Sequence, residues 1–142
     1  MAGVHFTFDN FKQLLDLTIG LAQRLDENRA ESFTLLYCDF EKFEKSVIDN
    51  SIEQILRNSD AIVNNESDYF LILPYTDKYG TNIVKEMFCE FFGVNLNTCA
   101  VSYPVDGEKS ELLIEELMDM ADKKYKNSLR CLSNFNPLLN FS

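Results

Sequence analysis

The sequence holds one histidine and no tryptophan, and proline and glycine are sparse at 3 and 5 residues. His5, near the N-terminus, is the only imidazole, so Cys–His catalysis or a zinc site would have to recruit it from there. Cys38, Cys89, Cys99 and Cys131 form no C-x-x-C pair. Cys38 and Cys99 fall in strand-like apolar segments and Cys89 in a helical one, which reads as buried, reduced thiols. No apolar run approaches the ~18 residues of a membrane span, and no basic-then-apolar leader opens the chain. A cytoplasmic location is the expectation. Basic residues are also scarce, with 13 Lys and Arg against 23 Asp and Glu, a net charge of −10. That excludes a general nucleic-acid binder, whose affinity comes from neutralising phosphates, and a domain that docks on anionic membrane. A small anionic ligand would have to be captured by local donors against an unfavourable field.

What is present suits one globular domain. The 142 residues are 46% hydrophobic and 25% charged, with 12 Phe, enough to build a sizeable core. Residues 8–27 read as an amphipathic helix with Phe11, Leu14, Leu15, Leu21, Ala22 and Leu25 at helical spacing. Phe33–Phe40 (FTLLYCDF) is apolar on both alternating faces, as in a central strand covered on each side. A helix over 43–57 follows, with Ile48, Ile52, Ile55 and Leu56 as its buried stripe. Strands over 61–63 and 69–73 flank the turn Asn64-Asn65-Glu66-Ser67. Thr76 or Asp77 can cap a helix ending at Phe92, with Gly93 as its stop. A strand over 94–103 ends in Pro104-Val105-Asp106-Gly107, and the last helix spans 110–129. The tail, 131–142, either packs on the domain or adds an edge strand. The Phe88, Phe91 and Phe92 cluster reads as helix core. Two strands around a hairpin, with helices between, predict a mixed sheet with helices packed on it, an α/β sandwich of the ferredoxin-like type.

Several segments, in order, carry a family resemblance: Leu35 to Phe43 (LLYCDFEKF), Leu56 to Asp60 (LRNSD), Leu71 to Asp77 (LILPYTD), Val94 to Gly107 (VNLNTCAVSYPVDG), and Ala121-Asp122 with Tyr125. Together they resemble the GGDEF family, the diguanylate cyclases that join two GTP molecules into cyclic di-GMP, over residues 11–125. The resemblance implies a nucleotide-cyclase palm fold and, in active members, two divalent cations held by carboxylates. Asp39 matches the family's first-strand metal ligand.

The signature itself is rewritten. With Phe70 as the motif Phe, it becomes Glu66-Ser67-Asp68-Tyr69-Phe70, and Tyr69 stands where the metal-binding Glu belongs. A phenol is a poor Mg²⁺ ligand. Asp68 is then one residue off, which on a strand is the opposite face. In a second register Asp68 takes the Glu position and Tyr69 the Phe. In both, side chains and an added carboxylate replace the two glycines that let nucleotide approach the backbone. The family's guanine-contacting Asn-Asp and Gly-His-x-x-Gly-Asp segment also has no counterpart. Only 16 residues separate Phe43 from Asp60, without Gly or His among them, and roughly fourteen family positions are missing. The expectation is a protein that is not an enzyme, with no catalytic residues, no Mg²⁺, and Asp39 as a vestigial ligand.

The residues Arg57-Asn58-Ser59-Asp60 survive. In GGDEF proteins an Arg-x-x-Asp at this spacing is the inhibitory site for cyclic di-GMP, Arg reading phosphate or a guanine Hoogsteen edge and Asp accepting from guanine N–H groups. An (i, i+3) Arg–Asp pair at a helix end is equally an ordinary ion pair. No cross-binding third Arg is identifiable; Arg24, Arg29 and Arg130 are the candidates. Two readings stand, a cyclic di-GMP receptor using Arg57 and Asp60, and a protein-interaction or dimerisation module. An active diguanylate cyclase is a distant third, requiring Asp39 and Asp68 to converge. An exposed Arg57–Asp60 pair favours the receptor. Arg57 tied up internally, beside an apolar surface on the late helices, favours the interaction module.

Overall fold

A computed structural model of the chain describes residues 2–25 and 30–135. Its strands are β1 (Val4–His5), β2 (Glu31–Asp39), β3 (Ala61–Asn65), β4 (Asp68–Pro74) and β5 (Thr98–Pro104). Its helices are α1 (Phe11–Arg24), α2 (Lys45–Ile55), α3 (Lys78–Phe92) and α4 (Ser110–Tyr125). The sheet order is β1-β3-β4-β2-β5, with β1 parallel to β3 and every other pair antiparallel. β2 lies between β4 and β5 and is buried from Ser32 to Cys38, which is why it reads as an uninterrupted apolar run. Its alternating side chains feed two cores. Leu35 and Tyr37 join Phe70, Val101 and the α1 and α4 residues Phe11, Leu15, Leu113 and Leu117. Leu36 and Cys38 join Leu71 and Leu73 with Ile48 and Ile52 of α2 and Phe88 of α3.

α3 matches its sequence signals closely. Asp77 Oδ1 accepts the Gly80 N–H at 2.8 Å, and Gly93 ends the helix at φ 71° while donating to the Cys89 carbonyl. Phe88 is fully buried, and Phe92 stacks on Phe43 with centroids 4.1 Å apart. Cys38, Cys89 and Cys99 are buried thiols, and Cys131 is half-buried and also unpaired. Burial pushes the Cys131 thiol up to about 11.

Other expectations are corrected. The core stripe of α1 is Phe11, Leu15 and Ile19, and Leu21 and Leu25 are exposed. Leu21 stands about 200° around the helix from Ile19, on the far side. Residues 8–10 form a 3-10 turn before α1, and Asp26 and Glu27 lie outside the described residues. The hairpin is longer and tighter than expected, because Asn65 pairs with Asp68 and leaves only Glu66-Ser67 in the turn. Residues 94–97 precede β5 instead of belonging to it. α4 stops at Tyr125, where Lys126 turns left-handed at φ 56°. The chain then reverses into a 3-10 segment, Arg130–Phe135, whose Phe135 ring meets Phe8 and Phe11 edge-on at 5.2 and 5.9 Å. This part of the tail packs on the domain; residues 136–142 lie outside the description.

The sequence reading also passed over β1. Gly3, Val4 and Phe6 donate to the carbonyls of Arg57, Asp60 and Ile62, all at 2.9 Å. Gly3 has φ 76°, a left-handed backbone that glycine takes freely and that strains other residues.

Candidate functional site

Two clusters emerge from the sequence, at the hairpin tip and at the Arg57–Asp60 turn. At the tip, the β2–β4 ladder pairs Asp39 with Asp68, Cys38 with Tyr69 and Tyr37 with Phe70. Paired residues share a face and neighbours alternate, so Asp68 faces Asp39. Tyr69 points the other way, buried against Phe40. The sheet adopts the second register in this respect, and the expectation that Asp68 takes the face opposite Asp39 is corrected. The physical reason is the two-residue turn, which brings Asp68 directly into the ladder.

Each of the facing carboxylates has a hydrogen-bond donor of its own. Asp68 Oδ1 accepts the Tyr37 hydroxyl at 2.7 Å, and Asp39 Oδ1 accepts the Glu41 N–H at 3.0 Å. Among the described residues no three His, Cys, Asp or Glu side chains gather to hold a metal. One oxygen of each carboxylate is thus engaged within the protein, Oδ1 of Asp68 by a side chain and Oδ1 of Asp39 by the backbone. Burial, with the charges of Asp39, Glu41 and Glu66, lifts the Asp68 carboxyl above its ordinary value, while the Tyr37 hydrogen bond pulls it down.

The turn is closed to a close-approaching ligand. Glu66 adopts φ 54°, a left-handed conformation that glycine takes freely and Glu does not. Asn64 Nδ2 donates to the Glu66 carbonyl at 2.8 Å, and Phe40 N–H donates to the Ser67 carbonyl at 3.0 Å. From the other side, Asn127 Nδ2 donates to the Tyr37 hydroxyl at 3.1 Å. The segment following α4 is thereby fastened to the buried side of the hairpin.

At the second cluster the pair is real, with Asp60 turned inward and Arg57 half-exposed. The Asp60 side chain is 3% exposed and that of Arg57 55%. Asp60 Oδ2 accepts the Arg57 backbone N–H at 2.8 Å, and Asp60 Oδ1 accepts Arg57 Nη2 at 3.1 Å. The same Nη2 reaches the Pro74 carbonyl at 2.8 Å and Thr76 Oγ1 at 2.9 Å. Both oxygens of Asp60 are engaged, and the turn they close is the one to which β1 is bonded. Arg57 stands in the wall of an open cleft of about 620 Å³ whose other polar lining includes Glu31, Asp60, Thr76 and Asp77. Three carboxylates thus share that cleft with one guanidinium. Arg24 and Arg130 do not line it, and Arg29 lies outside the described residues.

Sequence reasoning named Arg57, Asp60 and Asp68 but missed Tyr37, Thr76 and Asn127, which hold them. Tyr37 sat in an apolar run, and nothing local marks its hydroxyl as the partner of a carboxylate on another strand.

No protein-family model matches the chain, and no curated protein matches it. Among solved structures it is similar to a sensory box/GGDEF family protein from Caulobacter crescentus CB15, with TM-score 0.58 and 15% identity over 85% of this chain and 92% of that one. It also overlays PelD from Pseudomonas aeruginosa PAO1 at TM-score 0.40, with 19% identity over 66% of this chain and 37% of that one. The first likeness shows the fold, the mixed α/β palm of GGDEF proteins. The second is too partial to bear on it. Among the described residues no helix is long and apolar enough to cross a membrane.

Proposed function

We propose that the chain is a degenerate GGDEF-like signalling domain that works by binding and not by turnover. The observation that carries this is the hairpin tip, where Asp68 is engaged by Tyr37, side chains including Glu66 replace the glycines, and the post-α4 segment backs the site. A triphosphate approaching there would meet Asp39, Glu41, Glu66 and Asp68, against the single cation Lys42 that lines the pocket beside Asp39 and Glu41.

Of the two binding versions, contact with protein is the better supported. The Asp60 side chain is 3% exposed and both its oxygens bond Arg57, so little of it is open to a guanine N–H. The late helix α3 carries Tyr79, Ile83 and Met87, four residues apart and all exposed, an apolar line of the kind that marks contact surfaces. The receptor version keeps one favourable observation, the half-exposed Arg57 guanidinium facing a cleft large enough for a nucleotide. In that version Arg57 alone would read phosphate through its Nε and Nη1 hydrogens.

Isothermal titration with cyclic di-GMP separates the two, with Arg57→Ala as control. Absence of heat up to millimolar ligand supports protein contact. Micromolar binding lost in Arg57→Ala would establish the receptor instead.

A further inference from the structure

On the other flank of α3 from the Arg57 cleft, β5 forms an edge of the sheet. An unpaired strand edge is a template for another strand unless it is blocked. Here it is blocked at two points. Thr98 N–H and C=O both bond the Tyr125 hydroxyl, at 3.1 and 2.9 Å. Ser102 N–H donates to Asp106 Oδ2 at 2.8 Å, and its carbonyl accepts the Asp106 N–H at 2.9 Å. Because outward-facing residues alternate in an antiparallel strand, Ala100, midway between these seals, turns its N–H and C=O to the same open side. It opens onto a groove of about 440 Å³ between α3 and α4, walled by Thr81, Asn82 and Lys85 on one side and Glu116, Met120 and Lys124 on the other.

The groove is chemically distinct from the rest of the chain. Lys78, Lys85 and Lys124 line it against Asp106 and Glu116, a local excess of positive charge in a protein of net charge −10. Lys78 is held by Asp106 at 2.6 Å, whereas Lys85 makes only a 3.9 Å approach to Glu86 among the described residues and Lys124 stands over the Tyr125 ring. Thr81 is 1% exposed, and its hydroxyl has no partner among the described residues.

We infer that this groove receives a short acidic peptide segment in extended conformation, one residue of which exchanges both backbone hydrogen bonds with Ala100. Strand addition supplies the main-chain rung and the walls supply the selectivity. The flanking seals limit the pairing to that single rung and exclude a long strand. Lys85 and Lys124 select acidic side chains on either side of it. The inference rests on the protein-contact reading and names its partner chemistry.

The test is a ¹⁵N–¹H NMR titration of the full chain with acetyl-Glu-Val-Glu-amide and, in parallel, acetyl-Lys-Val-Lys-amide. The acidic peptide should move the Ala100 amide saturably, and Lys85→Glu with Lys124→Glu should weaken that binding about tenfold. Raising salt from about 0.05 M to about 0.5 M should weaken it in the unsubstituted chain as well, which covers the case of a variant that does not fold. An unmoved Ala100 amide, or equal binding of the basic peptide, would overturn the inference. A shift of Ala100 on diluting the protein alone would also overturn it, by assigning the edge to a second copy. None of these outcomes depends on Arg57, so the cyclic di-GMP titration fails or succeeds separately.

Discussion

Tyr37 of β2 donates its buried hydroxyl hydrogen to Asp68 of β4 at 2.7 Å, one step diagonally across the ladder. Asn127 donates to the same hydroxyl from beyond α4. One phenol therefore joins the central strand, the hairpin tip and the C-terminal segment, and it does so at the carboxylate that takes the metal-binding Glu position in the second register of the GGDEF resemblance. Burial and the neighbouring Asp68 raise the Tyr37 phenol far above its ordinary value, so it stays a donor at every working pH.

Removing that donor should be costly. Tyr37→Phe leaves a partly buried carboxylate without its partner, at about 1–3 kcal/mol of stability. The Asp68 carboxyl is raised in the folded chain, so its protonated form is favoured by folding. Its contribution is complete below the ordinary carboxylate value and is lost as pH rises through the folded value. Without Tyr37 the folded value climbs further. Urea melts should show the Tyr37→Phe deficit larger at pH 7 than at pH 4.

Asp68→Asn tests the opposite sign. The amide oxygen still accepts from Tyr37, and the repulsion from Asp39, Glu41 and Glu66 disappears. The melting temperature at pH 7 should rise by roughly 2–4 °C. The advantage over the unsubstituted chain should shrink as pH falls towards 4 and Asp68 takes up its proton. A lower melting temperature at pH 7 would contradict the charge argument.

The turn makes an independent prediction. Glu66 is held at φ 54°, where Asn is tolerated far better than Glu. Glu66→Asn should stabilise the chain by about 0.5–1 kcal/mol, read from thermal melts. It should do so without creating nucleotide turnover.

Much of this fold is legible in the sequence because its signals are local. Asp77, Gly93 and the apolar run of β2 each specify their element through capping, backbone freedom or burial. The hairpin was legible as a turn but not in its register, since Asn65 and Asp68 can equally be turn or ladder residues until the partner strand is known. β1 is two residues long, and its bonds to Arg57, Asp60 and Ile62 reach more than fifty positions along the chain. For the same reason Arg57 and Asp60 could be named without knowing which way they face. The bond from the Arg57 N–H to Asp60 is local, but those from Arg57 Nη2 to Pro74 and Thr76 exist only once the strands are assembled.

Those bonds give the Arg-x-x-Asp turn a structural role that can be measured. Asp60→Ala orphans the Arg57 N–H and the β1 docking turn, and should cost about 1–3 kcal/mol. Arg57→Ala removes a half-exposed guanidinium and should cost less, about 0.5–1 kcal/mol. A turn kept only for ligand would show the two variants as stable as the parent in the same melts.

The central claim is that this palm binds without turning over. Its most direct test is incubation of the full chain with GTP and Mg²⁺, then Mn²⁺, with cyclic di-GMP read by chromatography and Asp39→Ala run beside it. The account predicts no product from either protein. Metal-dependent cyclic di-GMP that disappears in Asp39→Ala would contradict it, and would make the facing Asp39 and Asp68 a working metal pair.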